Sequence, residues 1–255
     1  MGTNLQDHMR KKYALEWREA LEKRDYAKAF SKAVMMARLT EQMVDDAKLL
    51  LRLLGIPYIQ APSEAEAQCA YMAMKEDVWA ANRRDYDSLL FGAPRLVRYI
   101  TISGTEFMPS RGVSRKLTPE LIELREFLLH HGITREQLID LAILIGTDFN
   151  SGIRGLSPRK SLKLIKKCRS LDQLSVDLRT QLPGNYAETR EIFIKPAVTD
   201  AYNLRYESAN EEGLLRFLCE EHDFSSNRVE KVIERMGGVS RSIKSQSGLE
   251  NWFDK

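Results

Sequence analysis

Residues 62–87, PSEAEAQCAYMAMKEDVWAANRRDYD, carry the pattern that determines the predicted fold. Pro62 and Ser63 open an Ala-rich segment that extends to about Met74 and has the composition of a helix. A short apolar run at 78–81 follows, and such a run is typical of a buried strand. Helices that alternate with buried strands are the repeating units of α/β proteins, so the segment predicts a mostly parallel sheet with helices on its faces.

Further elements extend this pattern in both directions. Short apolar runs at 57–60 and 96–102 are predicted strands of the same sheet, and one or two long helices precede them at 7–50. The α/β part is expected to end at about residue 118, and the pattern after Pro119 is almost entirely helical. The predicted helices span 119–131, 134–146, 157–168, 171–179, 211–221 and 225–236.

The composition of the 255-residue chain excludes several classes of protein. It is 43% hydrophobic and 29% charged, a balance that can bury a core in one large domain or two small ones. Its apolar runs fall short of the ~18 residues that span a bilayer, and no secretory signal is expected after Met1. The three cysteines are far apart, which argues against a zinc site or a disulfide framework. A net charge of +3 is only a weak indication of a polyanionic partner.

The segment 62–67 contains Glu64 and Glu66 and has two interpretations. Ser63 and Glu66 have the spacing of a capping box, which accounts for those two residues but leaves Glu64 without a role. Alternatively, both glutamates reach one metal cluster. They would then do so from the first helical turn and in different shells, because residues two apart on a helix do not face the same way.

Three aspartates occupy two further candidate metal-binding positions. Asp85 and Asp87 follow the predicted strand 78–81, where ligands bind in open α/β sheets. In extended backbone their carboxylates point to one side and repel each other, and a divalent cation relieves that repulsion. Asp148 follows the apolar helix at 134–146. The alternatives are an exposed polar turn for the pair and a helix-terminal cap for Asp148.

Residues 151–170 contain seven Lys or Arg residues and no acidic residue. Ser157 and Pro158 suit the N-cap and the first position of a helix, whose free N–H groups and positive dipole favour a phosphate. The segment therefore predicts contact with a nucleic-acid backbone rather than with base edges, and the alternative is a solvated basic face. The candidate DNA-binding residues are Gly152, Arg154, Gly155, Ser157, Arg159, Lys160 and Lys163.

The segment 237–255 loses apolar periodicity and is rich in Ser, Gly and Lys, so we expect a flexible tail. Leu249, Trp252 and Phe253 near its end have a spacing that one helical turn brings to one side. Such an apolar anchor suits a pocket on a partner protein. The alternative is that the tail docks onto its own core.

Together these motifs resemble the flap endonuclease (XPG-type) family of structure-specific 5′ nucleases, and its archaeal members most closely. The resemblance covers nearly all of residues 10–255 and implies a PIN-like nuclease core followed by a helical part with a helix-hairpin DNA-binding element. Four segments carry it, in the family's order: LLGIPYIQAPSEAEA at 53–67, RDYDSLLFGAPRLVR at 84–98, LAILIGTDFNSGIRG at 141–155 and QSGLENWF at 246–253.

The resemblance implies hydrolysis of phosphodiester bonds at 5′ flaps in DNA replication and repair, with two Mg²⁺ ions, or Mn²⁺ in their place. The segment 151–168 matches the hairpin that grips duplex DNA, and a monovalent cation is implied at loop carbonyls near 150–157. The members of the family's catalytic, metal-binding acidic cluster that match here are Glu64, Glu66, Asp85, Asp87 and Asp148.

The resemblance also implies partners and a division into parts. The tail matches the family's binding box for a PCNA-type sliding clamp, through Gln246, Leu249, Trp252 and Phe253. The expected parts are a helical arch or clamp region at 1–54, a partial nuclease core at 55–118, a helical DNA-binding part at 119–236 and a flexible tail at 237–255.

Two departures from the family accompany these matches. The family has an N-terminal portion with a first strand and two more acidic ligands, in I-D-A and F-D-G segments that do not occur here. We therefore expect a large C-terminal portion, either the subunit of a split enzyme that needs an N-terminal nuclease polypeptide or a shortened form, with weak activity alone. Ser157 replaces a hairpin glycine and would be strained if φ were positive there.

The alternative function is a non-catalytic module that binds DNA and the clamp and keeps the nuclease fold. In either case the resemblance implies an intracellular protein without a membrane partner. It would lie in the cytoplasm or nucleoid of an archaeon, or in the nucleus of a eukaryote.

Overall fold

The computed structural model describes residues 2–36, 39–101, 104–108 and 113–246. The chain divides into two compact units. The first consists of 1–35 and 60–200, and the second of 36–59 and 201–255. These units cut across the four expected parts, because the region 1–54 and the region 119–236 each contribute to both.

Helices form most of the regular structure. The α-helices are α1 (Gly2–Glu22), α2 (Tyr26–Met36), α3 (Glu41–Leu53), α4 (Ala65–Met74), α5 (Asp87–Leu90), α6 (Leu124–His131), α7 (Arg135–Ile145), α8 (Pro158–Cys168), α9 (Val176–Arg179), α10 (Tyr186–Ile194), α11 (Glu211–Leu215) and α12 (Ser226–Gln246). A 3-10 turn spans Leu171–Gln173 and a π-helical turn spans Arg216–Glu220. Among the described residues no helix is both long enough and apolar enough to cross a membrane.

The strands are short and lie in the first unit. They are β1 (Ala81–Asn82), β2 (Arg95–Arg98), β3 (Thr105–Met108), β4 (Val113–Lys116) and β5 (Glu120–Glu123). One sheet has the order β1–β2–β5, with β1 parallel and β5 antiparallel to β2. Strands β3 and β4 form a separate antiparallel pair.

The prediction of a mostly parallel sheet is therefore wrong for the described part of the chain, where only β1 and β2 are parallel. After β2 the chain passes through the β3–β4 pair and returns along β2 as β5. An antiparallel return needs no crossover helix, whereas a further parallel strand would need one. The same pairing explains why the helix expected from residue 119 begins only at Leu124.

Other predicted elements differ in detail. The run 57–60 is not a strand: residues 57–59 lie in the second unit, where the neighbouring Gly55 carbonyl accepts a hydrogen bond from the Glu207 amide at 2.9 Å. The segment 171–179 divides into a 3-10 turn and α9. The prediction missed α5, α10 and the β3–β4 pair, whereas the predicted helices at 134–146 and 157–168 are confirmed as α7 and α8.

The main core of the first unit packs α7 against α8 and α10 and packs α5 against β2, with Leu96, Ile139 and Ile143 fully buried. A buried carboxylate fixes α7 within it: Asp140 accepts a hydrogen bond from the Leu171 amide at 3.1 Å. Arg190 of α10 lies 3.0 Å from the other oxygen of Asp140. These contacts hold the helix whose C-terminal end leads into Asp148.

The second unit has a smaller core, in which Leu214, Val229 and Ile233 of α11 and α12 are buried. Leu53 of α3 packs against them. Gly213 allows this close approach, because a Cβ atom there would lie 2.6 Å from the Leu53 side chain. Helix α3 therefore belongs with the C-terminal helices, although the sequence grouped it with α1 and α2.

Candidate active site

Four of the five predicted acidic residues come together in the first unit. Burial and the negative charges of Asp148, Asp85 and Glu66 raise the pKa of Asp87, and Arg83 opposes the rise. Carboxylates shift one another's pKa in this way only when they are close in space. Segments far apart in the sequence thus deliver their carboxylates to one place.

Asp87 is the first residue of α5, and the side chains after it fasten this short helix to the core. Ser88, Leu89 and Leu90 are all buried. Asp87 is half-buried above them, while Asp85 in the preceding loop is exposed. The exposure of Asp85 is what the alternative of an exposed polar turn expects, whereas the half-buried Asp87 does not fit that alternative.

Helix α4 carries the two glutamates, and the capping-box interpretation of its start is wrong. The N-cap is Glu64 rather than Ser63, and no side chain makes a cap hydrogen bond there. Glu66 instead forms an ion pair with Arg83. Glu64 is half-buried and is not among the groups that shift the pKa of Asp87 most strongly.

Asp148 projects from a tight turn at 147–150. The Thr147 amide donates to the Asn150 carbonyl at 2.9 Å, and the Asn150 amide donates back at 3.2 Å. The Asn150 side chain also donates to the Ile143 carbonyl at 2.8 Å, which ties the turn to α7. The C-cap of α7 is Gly146, so the alternative that Asp148 caps the helix is wrong.

These carboxylates do not form a closed metal shell. Within the described residues no three His, Cys, Asp or Glu side chains are close enough to hold a metal ion. The donor type nevertheless fits Mg²⁺, which prefers carboxylate oxygens and water. The charge fits as well: burial is the main cause of the raised pKa of Asp87, and the negative charges of its carboxylate neighbours add to it, while Arg83 only partly opposes them.

The basic element begins as the sequence predicts. Ser157 is the N-cap of α8 with a φ of −84°, and it accepts a hydrogen bond from the Lys160 amide at 3.5 Å. Serine is therefore unstrained at this position. The left-handed residue is Gly152, with a φ of 68°, where a Cβ atom would lie 2.3 Å from the Ile145 carbonyl oxygen. Gly155 is also left-handed, at 87°.

Helix α8 separates an anchored face from a charged face. Ser161 and Ile165 are fully buried. The four basic side chains predicted to contact DNA are exposed, and none of them takes part in an ion pair found among the described residues: Arg154, Arg159, Lys160 and Lys163. Their charge is therefore available to an anionic partner.

Helix α12 extends to Gln246, ten residues beyond the predicted end at 236, and includes the Ser- and Gly-containing segment. Residues 237–246 are thus helical rather than part of an irregular tail. The other clamp-box residues, Leu249, Trp252 and Phe253, lie outside the described residues.

Sequence reasoning missed two arginines near the carboxylates. Arg83 is the ion-pair partner of Glu66, and Arg98 at the end of β2 is almost fully buried. Arg98 left a signal in the sequence, because an arginine in an apolar strand is rarely buried unless it has partners. Nothing comparable distinguishes Arg83 from its exposed neighbour Arg84.

Comparisons with known proteins place this arrangement in a family. Residues 55–148 match the XPG I-region. Flap endonuclease 1 of Pyrococcus abyssi is 48% identical over 247 residues, which are 96% of this chain and 71% of that protein. Flap endonuclease 1 of Methanothermobacter thermautotrophicus is 42% identical over 245 residues, which again are 96% of this chain and 71% of the relative.

Solved structures agree with this relationship. Flap endonuclease-1 from Methanococcus jannaschii matches with a TM-score of 0.68 and 40% identity, over 85% of this chain and 64% of that one. The catalytic core of Rad2, solved in complex with a DNA substrate, matches with a TM-score of 0.65 over 87% of this chain and 75% of that one. At 22% identity the Rad2 likeness shows the fold alone.

The fold and these relatives thus place the chain among the structure-specific nucleases of the XPG type. The chain belongs to the flap endonuclease family, and the resemblance predicted from the sequence is confirmed. It spans about 71% of the length of the curated relatives it matches.

Proposed function

We propose that this chain provides most of the catalytic and DNA-binding surface of a 5′ flap endonuclease, which hydrolyses phosphodiester bonds in DNA replication and repair. The observation that carries the proposal is the grouping of carboxylates around Asp87, whose pKa is raised by burial and by the charges of Asp148, Asp85 and Glu66. Like charges that share a site destabilise the fold unless a cation offsets them, so their presence together favours a functional role.

The metal ions of this proposal are two Mg²⁺, with Mn²⁺ as a substitute. When bound, such a pair activates a water molecule and stabilises the leaving oxygen. Asp85, Asp87 and Asp148 would hold one ion. Glu64 and Glu66 would contribute to the other, together with acidic residues in the part of the relatives that this chain does not match. Glu66 would then give up its ion pair with Arg83.

The DNA-binding part of the proposal is the exposed face of α8 and the loop before it. The positive dipole at the N-terminus of α8 and the positive side chains around it suit phosphates rather than bases. The loop carbonyls near 150–157 are the proposed site of a monovalent cation. Helices α1 and α2 form a helical hairpin, joined by the 2.5 Å ion pair between Glu16 and Lys32, and are proposed to belong to the arch that admits the flap strand.

A flap-cleavage assay tests the proposed function. The chain is incubated with a 5′-flap substrate and Mg²⁺, alone and with the N-terminal polypeptide of the Pyrococcus abyssi relative. We expect little cleavage by the chain alone and an increase of at least about 10²-fold with the added polypeptide, because positioned charges at a reaction centre contribute effects of this size.

Controls decide between this function and the alternative. A 3′-flap substrate should not be cleaved, and EDTA should abolish cleavage of the 5′-flap substrate. Rapid cleavage by the chain alone would show that its own carboxylates suffice. The lack of a closed metal shell among the described residues is the observation that favours the alternative of a non-catalytic module. Duplex binding without cleavage, even with the added polypeptide, would establish that alternative.

A PCNA-type sliding clamp is the proposed protein partner, recognised by Gln246, Leu249, Trp252 and Phe253. The apolar anchor is short, and we expect a Kd of about 1 μM. Trp252→Ala with Phe253→Ala should weaken binding at least about 30-fold in a calorimetric titration, because aromatic anchors dominate such contacts. Duplex binding by the same variant should be unchanged, and equal clamp binding by both proteins would contradict the proposal.

A further inference from the structure

We propose that Arg98 is a positioning residue that holds Asp85 and Asp87 in place for metal binding, an inference that rests on the proposed function. Arg98 ends β2 and is only 8% exposed. Its Nε donates to the Arg84 carbonyl at 2.8 Å, and its Nη1 donates to the Tyr86 hydroxyl at 2.7 Å. One guanidinium group therefore holds the residues on both sides of Asp85.

The same guanidinium is fixed to the sheet on its other side. Nη1 also donates to Glu120 at 2.9 Å, and Glu120 lies opposite Arg98 in the β2–β5 ladder. Nη2 donates to the Tyr99 hydroxyl at 2.7 Å. The rings of Tyr86 and Tyr99 lie 4.1 and 4.4 Å from the guanidinium carbon. We call this group of Arg98, Tyr86, Tyr99 and Glu120 the Arg98 clamp.

The geometry of the Arg98 clamp depends on properties that only arginine has. A planar fork with fixed donor directions can bind a main-chain carbonyl, a carboxylate and two hydroxyls at once, which a lysine ammonium on a flexible stem cannot do. Tyr99 supports the fork from a left-handed backbone with a φ of 62°. Such conformations persist in non-glycine residues only where the surroundings enforce them.

The acidic loop needs such a restraint. Asp87 experiences the repulsion of Asp85, Asp148 and Glu66, which tends to move the loop away from the other carboxylates. The hydrogen bonds from Arg98 to the Arg84 carbonyl and to the Tyr86 hydroxyl resist that movement before any cation is present. Groups that orient metal ligands from outside the coordination shell typically change metal affinity about 10–100-fold when they are altered.

The test is a titration with Mn²⁺ alone, in which electron paramagnetic resonance measures the free ion. Wild type is compared with Arg98→Lys, Arg98→Met and the control Arg95→Lys. Arg95 lies on the same strand, donates Nε to the Trp79 carbonyl at 2.8 Å and stacks over the Trp79 ring at 5.2 Å. It thus makes the same kinds of contact without holding the acidic loop.

We expect Arg98→Lys and Arg98→Met each to raise the Kd for Mn²⁺ about 10-fold, and Arg95→Lys to change it less than about twofold. The direction in which the Kd for Mn²⁺ changes in Arg98→Met distinguishes a positioning role of Arg98 from an effect of its charge alone. Removal of a positive charge near carboxylates strengthens cation binding by Coulomb's law, whereas loss of the restraint weakens it. Amide hydrogen exchange at Asp85 and Tyr86 should also accelerate in both Arg98 variants, with folding checked by circular dichroism.

The outcomes distinguish failure of the role proposed for Arg98 from failure of the proposed metal site. Mn²⁺ binding by Arg98→Met that equals or exceeds that of wild type would overturn the role of Arg98 and leave the proposed metal site intact. Failure of the wild-type chain to bind Mn²⁺ saturably would overturn the metal site itself, and the role of Arg98 with it.

Discussion

Asp87→Asn should lower the rate of flap cleavage about 10³-fold while making the metal-free chain more stable at neutral pH. Loss of activity is expected because an amide is a poorer cation ligand than a carboxylate and cannot balance the charge of Mg²⁺. Gain of stability is expected because the folded chain holds Asp87 half-buried beside other carboxylates, and this arrangement raises its pKa. The two effects oppose each other, as is common at functional sites.

The pH dependence of this stability follows from the direction of the pKa shift. Because the pKa of Asp87 is higher in the folded chain than in the unfolded chain, the folded chain binds the proton more tightly. The resulting stabilisation is fully present below the unfolded pKa of about 3.9 and is lost as the pH rises through the folded pKa. Asp87→Asn does not titrate, so its stability advantage over wild type should appear at neutral pH and vanish on acidification.

Thermal unfolding in EDTA at several pH values measures this difference, and the flap assay with the added N-terminal polypeptide measures the rate. Mg²⁺ should stabilise wild type more than the variant, because a ligand stabilises a fold in proportion to its affinity for it. The matched control is Asp172→Asn. In wild type the Asp172 side chain is 60% exposed and its carboxylate lies 3.4 Å from Arg190. Equal cleavage by wild type and Asp87→Asn would remove Asp87 from the proposed metal site.

Lys160→Ala with Lys163→Ala should weaken duplex DNA binding about 100-fold at 50 mM salt, independently of base sequence. Both side chains are exposed on the charged face of α8, while Ser161 and Ile165 on the opposite face anchor the helix. Each phosphate contact that is lost reduces the number of counterions released on binding. The magnitude of the slope of log affinity against log salt should therefore fall by about 0.9 per lysine. The fold should persist, because neither lysine contributes to the core.

Fluorescence anisotropy with a labelled duplex over a range of salt concentrations measures both quantities. The control variant, Lys75→Ala with Lys195→Ala, removes the same charge from the first unit. Lys75 lies 2.6 Å from Asp200 and Lys195 lies 3.4 Å from Glu191, and neither residue belongs to α8 or to the loop before it. An effect confined to particular base sequences would identify a base-reading element, and an equal loss in the control would indicate a response to net charge alone.

The amino-acid sequence by itself determined the local structures of the site. Ser157 and Pro158 define the start of α8, because capping depends on side chains next to the backbone groups they satisfy. The apolar periodicity of α7 similarly placed Asp148 just beyond a buried helix. Motif order identified the family, which the relatives confirm.

The tertiary structure decided the relations between segments that are distant in sequence. Strand β5 returns antiparallel beside β2, which no local pattern in 119–131 distinguishes from a helix. Glu66 pairs with Arg83 instead of capping its own helix. Arg98 acquires its role only because β2 ends beside the acidic loop. Pairing and burial of this kind depend on which segments meet in space, and periodicity and spacing within one segment do not contain that information.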